Sequence, residues 1–199
     1  YSREYFALLH DRLREGGMTT YWLPVHNLSE SDAKAIVRAF CDVFADCTLW
    51  TGAGMDWMLV GTRGLQGPVS PAHFARQWQD PEVVAELEAV GFESPGQLGA
   101  TFLAGTATLE RMTQEVAPVV DDFPLRISHE PVQPSDTHAS DFFRSLLQTG
   151  AASRELARSP FIARNLPPEV REATRRAMRW QPIVNGRLVY DGGPGASQE

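Results

Sequence analysis

Lysine is almost absent from this chain. Of the 18 basic residues among its 199, Lys34 is the only lysine, and it falls inside a helical segment. A phosphate-binding loop needs a Gly-Lys-Ser/Thr run after a strand, so phosphoryl transfer of that kind is excluded. No stretch of about eighteen consecutive apolar residues occurs, so no membrane-spanning helix is expected. An N-terminal signal peptide is not expected either, because no basic segment leads into an apolar one. Cysteine is limited to Cys41 and Cys47, too few for a disulfide framework and without metal-ligand spacing. Cys41 reads as a buried structural thiol and Cys47 as a similar residue at a strand start, which suits a reducing, cytoplasmic setting. The histidines, His10, His26, His73, His129 and His138, show no His-x-x-x-His pair. A Gly-x-Ser-x-Gly elbow is missing too. The net charge of −7 argues against general attraction to nucleic acid or to an anionic membrane.

What is present is an ordinary soluble composition, 43% hydrophobic and 22% charged, enough for one sizeable core. The chain opens at Tyr1 directly on an amphipathic segment, as expected of a cut through a larger domain. Tyr5, Phe6, Leu8, Leu9 and Leu13 recur at helical spacing, and Gly16-Gly17 stops that helix. Met18 to Val25 has the Thr, Tyr and Trp content of a strand, ended by or confined to an edge by Pro24. Ser29-x-x-Asp32 resembles a capping box, and Ile36, Val37, Phe40, Val43 and Phe44 form the stripe of the helix it opens. Cys47–Thr51 and Met55–Thr62 read as strands joined by Gly52-Ala53-Gly54, which predicts a hairpin. A helical crossover between the first two strands implies a parallel pair.

The later chain reads as mostly helical. Phe74 and Trp78, then Val83, Val84, Leu87 and Val90, mark short helices between prolines. Phe102, Leu103, Leu109 and Met112 suggest a further helical pair, and Leu125–Ser128 a short strand. After Pro131–Pro134 come helices carrying Phe142, Phe143, Leu146 and Leu147, and then one from Pro167-Pro168. Asn185-Gly186 predicts a terminal hairpin turn, and disorder is expected from Gly192. Seven arginines between Arg158 and Arg187 face only Glu169 and Glu172, which fits either a solvated helix face or a docking face for RNA or a protein.

Several residues invite a chemical reading beside a structural one. Gly52-Ala53-Gly54 is the nearest thing to a cofactor loop, but it leads into a strand and Trp57 stands at the third glycine position. That makes it a turn rather than a cradle. Asp121-Asp122 before Phe123-Pro124 reads as a turn brace or as a pair of site carboxylates. Asp56, flanked by Met55 and Trp57, faces either solvent or a pocket at the sheet edge.

Tyr1-Ser-Arg-Glu-Tyr-Phe, Leu13-Arg-Glu-Gly-Gly and Trp22-Leu-Pro, followed by Phe44, Leu49-Trp50 and Met58-Leu-Val-Gly-Thr62, resemble the polyamine aminopropyltransferase (spermidine synthase) family. The similarity is greatest to the spermidine synthase-like domains that bacteria often fuse to membrane segments. Asp121-Asp122-Phe-Pro124 is a weaker echo of an Asn-Thr-Asp-Asp-x-Pro run in those proteins. The resemblance is good over 1–63, loose to about 130 and absent beyond. It implies an α/β fold: the C-terminal half of a Rossmann-like, methyltransferase-type sheet ending in an antiparallel hairpin, followed by a mostly helical extension. The expected parts are that half domain at 1–63, a helical region at 64–130 on or beside the sheet, an extension with a terminal hairpin at 131–191, and a disordered tail at 192–199.

Members of the family move an aminopropyl group from decarboxylated S-adenosylmethionine to putrescine. The glycine loop, the ribose-binding acid and the aspartate that helps deprotonate the amine all precede the helix that starts this chain. No catalytic residue and no bound cofactor are therefore expected in these residues. The donor, or S-adenosylmethionine itself in a methyltransferase-like alternative, belongs to a parent that also supplies the missing N-terminal half and can sit at the inner membrane. What remains corresponds to the acceptor side. Tyr21 falls where many members have a pocket-lining glutamine, and Thr51-Gly52 near a substrate-contacting tyrosine. Tyr21, Trp22, Thr51 and Asp56 are the pocket candidates, with sheet packing the alternative for the aromatics. A non-catalytic scaffold that kept the fold is the competing expectation, and an exposed sheet edge would favour a homodimer.

Overall fold

The computed structural model describes residues 1–52, 56–122, 142–148 and 150–180. Helix α1 (Arg3–Arg12) begins at Ser2, whose hydroxyl accepts the Tyr5 N–H at 3.1 Å and satisfies one orphan donor of the first turn. Strand β1 (Met18–Pro24) follows. Helix α2 (Glu30–Cys41) is capped by Ser29, which accepts from the Asp32 N–H, as the capping-box spacing predicts. Strands β2 (Thr48–Thr51) and β3 (Asp56–Thr62) then form the expected hairpin. Helix α2 ends before Val43 and Phe44, so the predicted stripe runs past the helix. Phe44 nevertheless stays buried, stacked on Phe40 at 4.6 Å.

Further α-helices among the described residues are short: α3 (Pro71–Phe74), α4 (Pro81–Ala89), α5 (Pro95–Gly99), α6 (Thr106–Thr113), α7 (Ala151–Arg158), α8 (Pro160–Asn165) and α9 (Pro168–Ala177). Proline at the first turn starts α3, α4, α5, α8 and α9, where its missing N–H costs nothing. Phe102–Ala104, read from sequence as helical, is instead strand β4. Its three side chains are buried, and a short run buried all round carries no period by which helix and strand could be told apart. The predicted strand at 125–128, the Asn185-Gly186 turn, the 192–199 tail and the centre of the Gly52–Gly54 turn lie outside the described residues.

Among the described residues the chain is α/β with a four-stranded sheet of order β1-β3-β2-β4 in which every neighbouring pair is antiparallel. The expected parallel pairing of β1 with β2 is therefore wrong in one respect. The two strands do point the same way, as the α2 crossover requires, but β3 lies between them, with Tyr21 opposite Leu59 and Leu49 opposite the same residue. Hairpin formation brings β3 back along β2 and leaves its other edge free for β1, so the local connection outcompetes direct pairing.

Helices cover both faces. Tyr21, Leu23, Leu49, Trp57 and Leu59 pack toward α1, α2 and α6, with Phe6, Phe40 and Phe44 at the centre of that core. Gly61 makes this packing possible: a Cβ there would run into the Phe44 ring. The opposite face carries Trp50 and a second cluster built from Phe102, Phe161, Ile162, Leu166, Val170 and Met178, contributed by β4, α8, α9 and the turn after α9. Asp46 joins the two layers, accepting the Thr62 N–H at 2.9 Å and the Thr62 hydroxyl, with Arg164 at 3.8 Å.

One correction concerns the cysteines. Cys41 and Cys47 form a disulfide with Cα atoms 5.3 Å apart. The turn after α2 folds back through Phe44 N–H to Phe40 O and Cys47 N–H to Phe44 O, which brings the last helical turn beside the start of β2. Two cysteines are too few for a framework but sufficient for one local bridge, so neither is the free thiol expected. A cytoplasmic setting thereby loses its cysteine argument, because disulfides persist mainly in oxidising compartments. Among the described residues, no helix is long and apolar enough to cross a membrane.

Candidate functional site

β1 and β2 share a direction, so their carboxyl ends, Pro24 and Thr51, lie at one end of the sheet with Asp56 at the start of β3 beside them. The sequence candidates from the strands gather at this end but do not all converge. Successive strand side chains alternate between faces. Tyr21 and Thr51 therefore point to the α1–α2 face, and Trp22 and Asp56 to the other.

Trp22 and Asp56 meet directly: the indole Nε1 donates to Asp56 Oδ1 at 3.0 Å, while 54% of Trp22 remains exposed. Asp56 thus faces solvent with one oxygen already engaged, rather than looking into a closed pocket. Thr51 is buried, its N–H bonded to Thr101 O at 2.7 Å and its hydroxyl to Gly52 O at 3.2 Å, so it holds the β2–β4 edge. Gly52 closes the hairpin by donating to Asp56 O at 2.6 Å.

Tyr21 stacks edge-on against Phe6 at 5.1 Å and Tyr1 at 5.4 Å. Burial pushes its hydroxyl well above the usual tyrosine range, and the neighbouring Tyr1 adds to the shift. It therefore stays protonated and can offer a neutral hydroxyl, not a base. Tyr21 belongs to the packing of the first face as much as to a pocket.

Asp121 and Asp122 are exposed on the turn beside the α1 N-terminus. Arg3 N–H donates to Val119 O at 2.8 Å, and Asp121 N–H donates to Glu4 Oε2 at 3.0 Å. Glu4 is held below the ordinary carboxylate value by its own backbone N–H first, then by the Asp121 N–H and the Arg3 guanidinium. Tyr1 and Phe6 pack on Tyr21 near the carboxyl end of β1, while Arg63, beside the start of β1, bonds the carbonyls of Asp11 and Leu13. Helix α1 is therefore antiparallel to β1, and Glu4, Asp121 and Asp122 add negative charge toward that carboxyl end.

Some of the buried donors escape sequence reasoning. Trp57 Nε1 and Asn165 Nδ2 have no hydrogen-bond partner. In the sequence Trp57 stands out only for breaking a glycine pattern, and no local signal singles out an asparagine before Leu166-Pro167. Among the arginines of the extension, Arg175 and Arg176 pair with Glu172 at 2.5 and 3.5 Å, which partly neutralises the expected docking face. Among the described residues, no group of His, Cys, Asp and Glu could hold a metal ion. Comparison with protein-family models, with curated proteins and with solved structures finds no match to this chain.

Proposed function

We propose that this chain is the acceptor-side, sheet-closing part of a spermidine synthase-like aminopropyltransferase of polyamine biosynthesis. One observation carries the reading. Two co-directed strands are joined by a helical crossover, and the next strand enters antiparallel between them, which is how a methyltransferase-type sheet ends. In open α/β sheets ligands sit outside the carboxyl ends of the strands. That is the end where Trp22, Asp56 and the Glu4–Asp121–Asp122 turn lie. A diamine carries an ammonium at each end, and these carboxylates supply acceptors for it.

The described residues do not fit the nucleoside donor. Gly52 leads through a closed hairpin into β3 and not into a helix, so no helix N-terminus stands behind it. Donor binding and the amine's base are assigned to the N-terminal half of the same domain, for which the outer edge of β1 is the natural docking strand. Among the described residues that edge pairs with nothing. A second copy of the chain is the competing occupant of the same edge, and the parent's inner-membrane attachment is part of this proposal.

The test is aminopropyl transfer by the gene's full translation product, given decarboxylated S-adenosylmethionine and putrescine, followed as release of methylthioadenosine. Release that depends on the diamine is expected. Consumption of neither donor nor amine would overturn the reading, and methyl transfer from S-adenosylmethionine itself would favour the methyltransferase-like alternative. A scaffold without chemistry is the second reading. It is favoured by the exposed Tyr1, Tyr5, Leu8, Met18 and Trp22 along α1 and β1, and any amine-dependent turnover would end it.

A further inference from the structure

The sheet face away from α1 and α2 is not completely filled. Between β1–β3–β2, the segment from Leu65 to Phe74 and helix α8 lies a cavity of about 500 Å³. Its walls are mainly apolar, with Met18, Met58, Trp50, Leu65, Phe74 and Phe161 among them, and no Asp, Glu, Lys or Arg side chain lines it. With no carboxylate in its wall, such a space offers a polyamine or a sulfonium nucleoside no charged partner. The volume falls within the range of small-molecule pockets.

Asn165, at the end of α8, gives the cavity a polar contact. The residue is 2% exposed and lines the wall. Its Oδ1 accepts the Gly67 N–H at 3.0 Å, and its backbone oxygen accepts the Val69 N–H at 3.1 Å. Gly67 lies so close that a Cβ would come within 2.6 Å of Asn165 Cα, so this strap is fixed against α8. Because the Gly67 N–H needs an acceptor, the amide cannot be turned over, and the donor Nδ2 is the end left without a partner. A buried donor without an acceptor is costly, and a ligand oxygen would relieve that cost.

We infer that this cavity is a binding site for a neutral, largely apolar small molecule whose carbonyl or ether oxygen accepts a hydrogen bond from Asn165 Nδ2. The site is separate from the carboxyl-end carboxylates and does not depend on the transferase reading.

Nile red, neutral, apolar and carbonyl-bearing, is a suitable probe, with diphenylhexatriene as a hydrocarbon that has no acceptor. Fluorescence titration of the full 199-residue chain is expected to show saturable binding of both. Asn165→Asp keeps the acceptor for Gly67 and removes the donor. It should weaken Nile red about three- to tenfold, the worth of one hydrogen bond, while diphenylhexatriene changes little. Thr20→Phe, on the exposed β1 rim of the cavity, should weaken both probes by about tenfold or more by filling its mouth. Leu8→Lys, on exposed α1, should affect neither. Circular dichroism and unfolding midpoints identify any variant that fails to fold, and the other cavity variant then decides. Absence of saturable binding to the native chain, equal loss of both probes in Asn165→Asp, or full binding in Thr20→Phe would overturn the assignment.

Discussion

Replacing Gly61 with alanine sets two opposing effects against each other. Alanine restricts the unfolded chain more than glycine does, which by itself would stabilise the protein by roughly 0.5–1 kcal/mol. The added methyl would stand 2.7 Å from both Cβ and Cδ1 of Phe44. That ring is fully buried, stacked on Phe40 at 4.6 Å and edge-on to His10 at 5.5 Å, so it has nowhere to retreat. The backbone is also constrained, because Gly61 pairs with Thr19 of β1 and lies between Val60, paired with β2, and Thr62, whose N–H is held by Asp46. Overpacking of this kind costs about 1–3 kcal/mol. The clash should win, giving a net loss of about 1–2 kcal/mol. For a protein of this size that lowers Tm by roughly 2–8 °C. Thermal unfolding followed by far-UV circular dichroism reads the shift. In a Phe44→Ala background, which removes Cγ and Cδ1 and leaves only Cβ close by, the penalty for Gly61→Ala should fall by more than half. A neutral or stabilising Gly61→Ala, or an unchanged penalty in the Phe44→Ala background, would refute the reasoning that Phe44 is seated on the middle strand.

The Cys41–Cys47 pairing predicts no reactive thiol in the denatured, unreduced protein and two after reduction; one or two thiols before reduction would contradict it. Replacing both cysteines with serine should cost about 2 kcal/mol from loop closure alone, measured by urea unfolding. Glu4 should titrate below the ordinary glutamate value of 4.5, read by carbon NMR, and a midpoint at or above it would refute the turn geometry. The sign follows from linkage: the contribution to stability is complete above the ordinary value and is lost as pH falls through the lowered midpoint.

The first third of the chain is legible because its signals are local. Ser29 caps the helix that its capping-box spacing announces, and the stripe through Phe40 faces the sheet. Strand neighbours are not legible, because the insertion of β3 between β1 and β2 is decided by edges far apart in sequence. β4 escapes for a different reason: three residues buried on every side leave no alternation to detect. In the candidate site, the opposed directions of Tyr21 and Trp22 follow from the period of a strand and can be anticipated. The Trp22–Asp56 bond cannot, since it spans a strand pairing that no spacing reveals. Asn165 acquires its role only when the Gly67 strap arrives from nearly a hundred residues away, a contact no local pattern encodes.

Isothermal calorimetry of the 199-residue chain, with putrescine and decarboxylated S-adenosylmethionine titrated separately, tests the acceptor-side assignment most directly. Weak heat with the diamine, lost in Asp121→Asn/Asp122→Asn, and none with the donor is the predicted result. Micromolar binding of the donor by this chain alone would contradict it.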